Sequence, residues 1–144
     1  MVITSAVCNS FKQEILEAEH NFTPSTGNTF NLALYDSDSV LNTSTTVYTT
    51  SEELATTGGY TAKGNALTSV TPVFDSDTAV CDFSNTSWTS ATFTARGCLI
   101  INESKASDAS ECAIDFDGNK TITNGTFTID YPAAAASAAI IQIE

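Results

Sequence analysis

The chain has 144 residues, of which 17 are Asp or Glu and five are Lys or Arg, so its formal net charge at neutral pH is −12. We expect no nucleic-acid partner, because a phosphate-binding surface needs clustered basic side chains, and the same charge repels anionic membranes. No apolar stretch approaches the roughly 20 residues of a membrane-spanning helix. Residues 1–8 lack the basic and apolar regions of a secretory signal, so we expect the protein to be made in a cytoplasm.

The length is that of one ordinary domain, and we expect residues 1–144 to fold around a single core. Hydrophobic residues make up 42% of the chain, including eight Phe and one Trp, which is typical of a folded protein. Only 15% of the residues are charged, so Ser and Thr supply most of the polarity. This Thr-rich, Lys-poor composition predicts an all-β fold.

One short amphipathic helix is predicted near the N-terminus, over about residues 6–20. Ser10 and Gln13 have the spacing of a capping box, and Phe11 and Ile15 fall on one helical face. His20, the single histidine, then stands at the helix C-terminus, where the helix dipole favours a positive charge. We expect that role rather than catalysis, because no nucleophile motif such as G-x-S-x-G accompanies it.

The rest of the chain reads as short strands separated by turns and by one long loop. Residues 29–35 alternate between apolar and polar, whereas about 36–64 are polar and irregular, a length that is usually functional or interactive. Residues 46–50 could add a short edge strand. Further strands are predicted at 67–74, 78–83, 92–102, 111–116, 126–131 and 139–143, with turns at 75–77, 104–110, 117–119 and 124–125. This pattern predicts an antiparallel β-sandwich or jelly-roll-like fold.

The stretch T-F-T-A-R-G-C-L-I-I-N at 92–102 is predicted to be the central strand, because both of its faces become apolar toward its C-terminal end. Arg96, the single arginine, lies in the middle of it and needs a carboxylate partner there. Asp82 and Asp115 are the first candidates. Such a pair would fix the strand register or seal a subunit contact. The core is predicted to contain Phe30, Leu32, Leu34, Trp88, Phe93, Leu99 and Ile101 together.

Paired acidic residues could bind a metal in three loops, at positions 36 and 38, 75 and 77, and 115 and 117. Asp115, Asp117 and Asn119 resemble the start of a calcium loop. Lys120 and Thr126 stand where that loop needs Gly and Glu, so the motif fails. We therefore expect turns stabilised by Asp and Asn side chains, with no metal and no cofactor. A weak calcium site in one of these loops is the alternative.

The four cysteines are widely spaced, without a C-x-x-C pair, which argues against a zinc site. We interpret them as small buried hydrophobes of a protein made in a reducing compartment. The alternative is a disulfide formed later, joining Cys81 to Cys98 or Cys112. The remaining cysteine is Cys8.

Several stretches together carry a family resemblance. They are S-F-K-Q-E-I-L-E at 10–17, N-T-F-N-L-A-L-Y at 28–35, G-Y-T-A-K-G at 59–64, W-T-S-A-T-F-T-A-R-G-C-L-I-I-N at 88–102 and K-T-I-T-N-G-T-F-T-I at 120–129. In this order they resemble small β-rich virion structural proteins of tailed bacteriophages, including marine and cyanobacterial phages. Cys98 and Cys112 depart from the pattern, since small apolar residues are expected there.

The resemblance implies a non-enzymatic capsid decoration (cement) protein that binds the assembled head. Its partners would be the major capsid protein or other virion proteins, it would form a homo-oligomer, and it would be located in the virion. The resemblance brings no catalytic residues. A tail or head-fibre component is the first alternative.

A receptor- or glycan-binding module is the second alternative, and it would need an aromatic surface patch, for which Tyr35, Tyr48 and Tyr60 are available. We expect loop 36–64 to contact a neighbouring subunit or the coat lattice. The structural or interface candidates are Arg96, Asp82, Tyr48 and Tyr60.

Overall fold

The computed structural model describes residues 2–144, and 44% of the chain is in strands against 6% in helix. The predicted all-β fold with one short helix is therefore confirmed. No helix among the described residues is long and apolar enough to cross a membrane. In chain order the elements are β1 (Ala6–Val7), α1 (Asn9–Leu16), β2 (Phe30–Tyr35), β3 (Asn65–Leu67), β4 (Val73–Asp75), β5 (Thr78–Cys81), β6 (Thr86–Asn102), β7 (Ala109–Ile129) and β8 (Ile141–Ile143).

The strands form two antiparallel sheets. The larger has five strands in the order β1-β7-β6-β2-β3, and the smaller has three in the order β4-β5-β8. Helix α1 packs on β7. The chain passes from the large sheet to the small one through Pro72, so the single strand predicted at 67–74 is wrong: its two ends are β3 and β4, which pair with different sheets.

β6 is central in the large sheet, as predicted for 92–102, although it begins earlier, at Thr86. It lies between β7 and β2, and Leu99, Ile100 and Ile101 are fully buried. The register shifts between Ala95 and Gly97 and again between Ile100 and Ile101. A strict alternation of faces along 92–102 is therefore interrupted twice, because each bulge re-aims the side chains that follow it.

β7 is one strand of 21 residues, where the sequence predicted strands at 111–116 and 126–131 with turns between them. The predicted turn residues form bulges instead. Arg96 of β6 lies opposite four residues of β7, 116–119, because Ala95 pairs with Lys120 and Gly97 with Asp115. Asp117 and Gly118 have φ of 53° and 130°, so the left-handed conformations expected for a turn are accommodated within the ladder.

The helix is shorter than the predicted 6–20. Ala6 and Val7 pair with β7 as β1, and Ala18 adopts a φ of 58°, which is incompatible with continuing the helix. Cys8 is the N-cap residue and makes no side-chain cap, so the expected Ser10–Gln13 capping box is not formed. The expected edge strand at 46–50 is reduced to an isolated bridge of Val47 to Ala109.

The core combines the apolar faces of β2 and β6 with aromatic rings. Six of the seven residues predicted to meet are buried together, and Phe93 packs against them half-buried. The ring of Phe22 stacks on Phe30 at 4.6 Å, and Phe30 meets Phe83 edge-on at 5.7 Å. All four cysteines are free and buried. This agrees with the interpretation of the cysteines as small buried hydrophobes, and the alternative, a disulfide of Cys81 with Cys98 or Cys112, is not formed.

Candidate functional site

Arg96 forms the predicted bidentate pair with Asp115 across the β6–β7 bulge. Its Nε donates to Asp115 Oδ1 at 2.7 Å and its Nη2 to Oδ2 at 2.9 Å. The two side chains are 31% and 20% exposed, so the pair lies at the margin of the sheet. The Arg96 guanidinium holds the pKa of the Asp115 carboxyl below its usual value. A role in a subunit contact stays a prediction.

Asp82, the other partner considered for Arg96, lies in the core instead. It is 1% exposed, and its Oδ1 accepts a hydrogen bond from the backbone N of Phe83 at 2.8 Å. Its Oδ2 has no partner among the described residues. Burial raises the pKa of the Asp82 carboxyl. Asp82 is therefore a buried structural group and offers no surface to a partner.

The calcium-loop residues Asp115, Asp117 and Asn119 lie in the β7 bulge. Arg96 engages both oxygens of Asp115, and Oδ1 also accepts a hydrogen bond from the backbone N of Asp117 at 3.0 Å. Asp117 and Asn119 are exposed. These contacts are the turn-stabilising role that was predicted. A guanidinium beside the carboxylate also disfavours a second cation there.

A different acidic group does come together, at the start of loop 36–64. Ligand oxygens of Asp36, Asp38 and Glu52 lie within 4.8 Å of one another. The backbone N of Asp38 donates to Asp36 Oδ1 at 2.8 Å, so this acidic pair also stabilises a turn. Asp38 and Glu52 are exposed, and all three carboxylates can stay hydrated without a metal.

Loop 36–64 is organised around the Glu53 carboxylate. Tyr48 OH donates to its Oε2, Tyr60 OH donates to Oε1 at 2.7 Å, and the backbone N of Lys63 donates to Oε1 at 2.6 Å. Tyr60 OH in turn accepts from the backbone N of Leu34 in β2 at 3.0 Å. These bonds fasten the loop to the large sheet. The loop is a fixed feature whose exposed side can be presented to a partner.

The same contacts remove the aromatic patch that a glycan-binding module would need. Tyr35 is 0% exposed and Tyr60 is 2% exposed, while Tyr48 is half-buried. Burial, reinforced by Glu53, raises the pKa of Tyr60 and of Tyr48. Of the structural and interface roles considered for Tyr60, its contacts are those of a structural anchor.

His20 lies in the loop after α1, and its side chain is fully buried. Its Nε2 is 2.7 Å from Glu14 Oε2 and its Nδ1 is 3.1 Å from Glu111 Oε1. The ring packs edge-on against Phe11 at 4.8 Å. The expected helix-dipole role is wrong, because α1 ends at Leu16 and His20 turns inward toward β7.

Glu111 is a buried carboxylate, 1% exposed, on β7. Its contact with His20 has the distance of an ion pair, yet neither oxygen makes a well-aligned hydrogen bond. Burial raises the pKa of Glu111 to about 7, against the opposing influence of His20. For His20 burial works against protonation, but Glu111 and Glu14 outweigh it and raise the His20 pKa.

The largest exposed hydrophobic side chains meet on one surface, which we call the α1–β8–β4 face. Phe74, Ala79 and Ile143 are direct cross-strand neighbours in the small sheet, so they share one side of it. Phe74 is 80% exposed, Ile143 is 52% exposed, and Leu16 at the end of α1 is 88% exposed. A groove of about 330 Å³ between α1 and β8 joins Leu16 to Ile143.

A second apolar depression, of about 450 Å³, lies beside the bulged part of β7. Its apolar lining is mostly half-buried, and the two charged residues at its margin, Lys120 and Asp130, are exposed. The apolar residues that line it are Ile114, Phe116, Phe127, Ile129, Tyr131 and Ile140. The apolar side chains of this depression are less exposed than Leu16 or Phe74.

The sequence pattern did not predict the α1–β8–β4 face, because a Phe in an apolar strand is expected to point inward. Phe74 stays outside because β4 is an edge strand of a sheet with only three strands. The pattern also did not predict that Glu111 is buried, although its neighbours in A-S-E-C-A are all small and buried. Comparisons with protein-family models, with curated proteins and with solved structures gave no match.

Proposed function

We propose that the chain is a non-enzymatic structural protein of a bacteriophage virion, a capsid decoration (cement) protein that binds the assembled head. The observation that carries the proposal is the α1–β8–β4 face. Exposed apolar surface of this kind is typical of protein–protein contacts, since leaving Leu16 and Phe74 in water is costly. The motif resemblance supplies the virion context, and the partners are the major capsid protein or other virion proteins.

The charge distribution fits a subunit that stays free until it meets a shell. A net charge of −12 keeps separate copies apart in solution, while the α1–β8–β4 face offers an apolar area for docking. The single histidine has both ring nitrogens engaged in internal contacts, so it is not available as a general base. On the shell, copies would associate as a homo-oligomer.

Co-sedimentation with assembled heads tests the proposal. The wild-type chain should pellet with heads but not with free coat subunits. Phe74→Ser should weaken this binding about tenfold or more, because truncating a buried aromatic anchor of an interface typically costs about 2 kcal/mol of binding free energy. Val40→Ser is the comparison variant, since Val40 is 53% exposed in loop 36–64: a loss of head binding in Val40→Ser and not in Phe74→Ser would assign the contact to the loop.

Three outcomes separate the alternatives. Binding to tails or fibres instead of heads would support the tail or head-fibre component. Saturable binding to glycans without particle binding would support the receptor module. Equal head binding by Phe74→Ser and wild type would remove the α1–β8–β4 face from the interface and leave loop 36–64 as the contact.

A further inference from the structure

The orientation of one buried amide defines how the protons are arranged around His20. The backbone N of Ser104 donates to Asn102 Oδ1 at 3.1 Å, which fixes the oxygen end of that side chain. Its Nδ2 therefore faces His20 Nδ1 at 3.0 Å and Asn28 Oδ1 at 3.1 Å. An NH₂ group only donates, so Nδ1 must present its lone pair to Asn102.

This arrangement leaves Glu111 needing a proton. With Nδ1 accepting from Asn102, the ring carries its hydrogen on Nε2, where Glu14 accepts it at 2.7 Å. An ionised Glu111 would then have no hydrogen-bond donor from the protein, and it is too buried, at 1% exposure, to be solvated by water. A buried carboxylate without a donor carries a large desolvation cost. The proton can reside on Glu111, or it can move to His20 Nδ1 if the Asn102 amide stops donating to that nitrogen.

We propose that His20 and Glu111 share one buried proton, and that this proton latches α1 and the loop behind it onto the large sheet. His20 and Glu14 belong to the N-terminal segment, whereas Glu111 and Asn102 belong to β7 and β6. The contact thus crosses from the segment to the sheet. The inference does not depend on the proposed function.

No other titratable group around His20 and Glu111 supplies the positive charge that an ionised Glu111 would need. Cys8 from the start of α1, Cys81 from β5 and Cys112 from β7 are buried thiols whose pKa values are all raised, Cys81 to about 12. They stay neutral and cannot balance a Glu111 carboxylate. Burial is the main cause of each shift. The nearby cations, Lys12 and Lys105, contact Asn9 and Glu19 respectively, away from Glu111.

Loss of the shared proton should therefore release the segment. The pKa values of both Glu111 and His20 are raised, so the docked state holds protons more tightly than the undocked state. Docking is then strongest below about pH 4.5, the ordinary pKa of Glu111, and it weakens as the pH rises through about 7 and above. One unit of pKa difference between the two states changes the docking equilibrium about tenfold.

Hydrogen exchange of the α1 amides, corrected for the intrinsic pH dependence of exchange, tests the latch on the full chain. Protection should fall about tenfold or more between about pH 6 and about pH 9, while β6 amides keep theirs. Glu111→Gln keeps the shape and removes one of the two titrating partners, so its α1 protection should depend on pH much less than that of the wild type. Glu17→Gln is the matched control, because Glu17 is an exposed carboxylate at the end of the same helix.

Nitrogen NMR of the imidazole gives a second readout, and the single histidine makes its assignment unambiguous. The ring should show an Nε2–H form in slow exchange with solvent, and Glu111→Gln should shift its titration. Parallel pH dependence of α1 in the Glu111→Gln variant and the wild type would overturn the proposal. So would an ordinary His20 titration near its usual pKa with rapid solvent exchange.

Discussion

The two halves of the β6–β7 ribbon make an instructive comparison. The inner half, Gly97–Asn102 with Ala109–Asp115, lies between β2 and β1 and is almost entirely buried. The outer half, Thr86–Ala95 with Lys120–Ile129, pairs with no third strand among the described residues, and all its Thr side chains except that of Thr86 are exposed. The same two strands therefore place polar groups in opposite environments.

This difference decides what each polar group does. In the outer half, hydroxyls pair with each other or with water at little cost. In the inner half, Glu111 and Asn102 have no access to water, so each must find a donor, an acceptor or a proton within the protein. The Arg96–Asp115 pair lies at the boundary, where both charges persist because the side chains remain partly hydrated.

Leu99→Ala should have the largest effect, because it breaks the inner half at its centre. Leu99 is fully buried on β6 and pairs with Ala33 and Ala113. We expect a loss of about 2–5 kcal/mol in the free energy of unfolding, from the lost apolar burial and the cavity left behind. Denaturant titration measures it. A loss below about 0.5 kcal/mol would place this stretch on the surface.

The pH dependence of stability should be the second largest effect and should arise in the inner half. Glu111 has a folded pKa of about 7 against an ordinary 4.5, so the folded state holds the extra proton. Stability should therefore decrease as the pH rises from about 4.5 through about 7. Glu111→Gln should be more stable than wild type at about pH 8, on the order of 1–3 kcal/mol, and nearly equal at about pH 5. A Gln variant less stable at both pH values would contradict this reading.

The strands that were predicted correctly carry their signal locally. β2 and the 92–102 part of β6 have apolar runs or clean alternation, so burial follows from the sequence pattern itself. β7 was divided because D-G-N and Asn124-Gly125 favour turn conformations. Continuous pairing with β6 decides otherwise, and it absorbs the positive φ angles of Asp117 and Asn124 as bulges.

The candidate sites likewise could be predicted only where their contacts follow from the local sequence pattern. The Arg96–Asp115 pair could be anticipated, because a lone charge in an apolar strand demands a partner close by. His20 could not be placed beside Glu111, since their contact joins residues 91 positions apart (111 − 20) and depends on where α1 ends. The α1–β8–β4 face was equally hidden, because edge strands and central strands look alike in a single sequence.

Arg96→Lys tests the boundary between the two halves. Lysine keeps the charge but loses the planar fork that places two donors on Asp115. We expect a loss of stability smaller than that of Leu99→Ala, because both side chains are partly exposed and water screens the pair. Thermal unfolding at low and high salt measures it, with Lys120→Arg as the control. Folding and head binding equal to the wild type would identify Arg96 as a solvated surface charge.

Thr94→Ala should have the smallest effect, because it alters the outer half where polar groups can exchange partners with water. Thr94 Oγ1 lies 2.8 Å from Thr121 Oγ1 on the exposed face, in directly paired positions of β6 and β7. Losing one exposed cross-strand hydroxyl pair should cost about 0.2–1 kcal/mol, since water can take over the remaining hydroxyl. Ser87→Ala removes the equivalent 2.8 Å contact with Thr128 and should behave alike. If either variant destabilised the chain as much as Leu99→Ala, the outer half would have to be buried, and the contrast between the two halves of the ribbon would not hold.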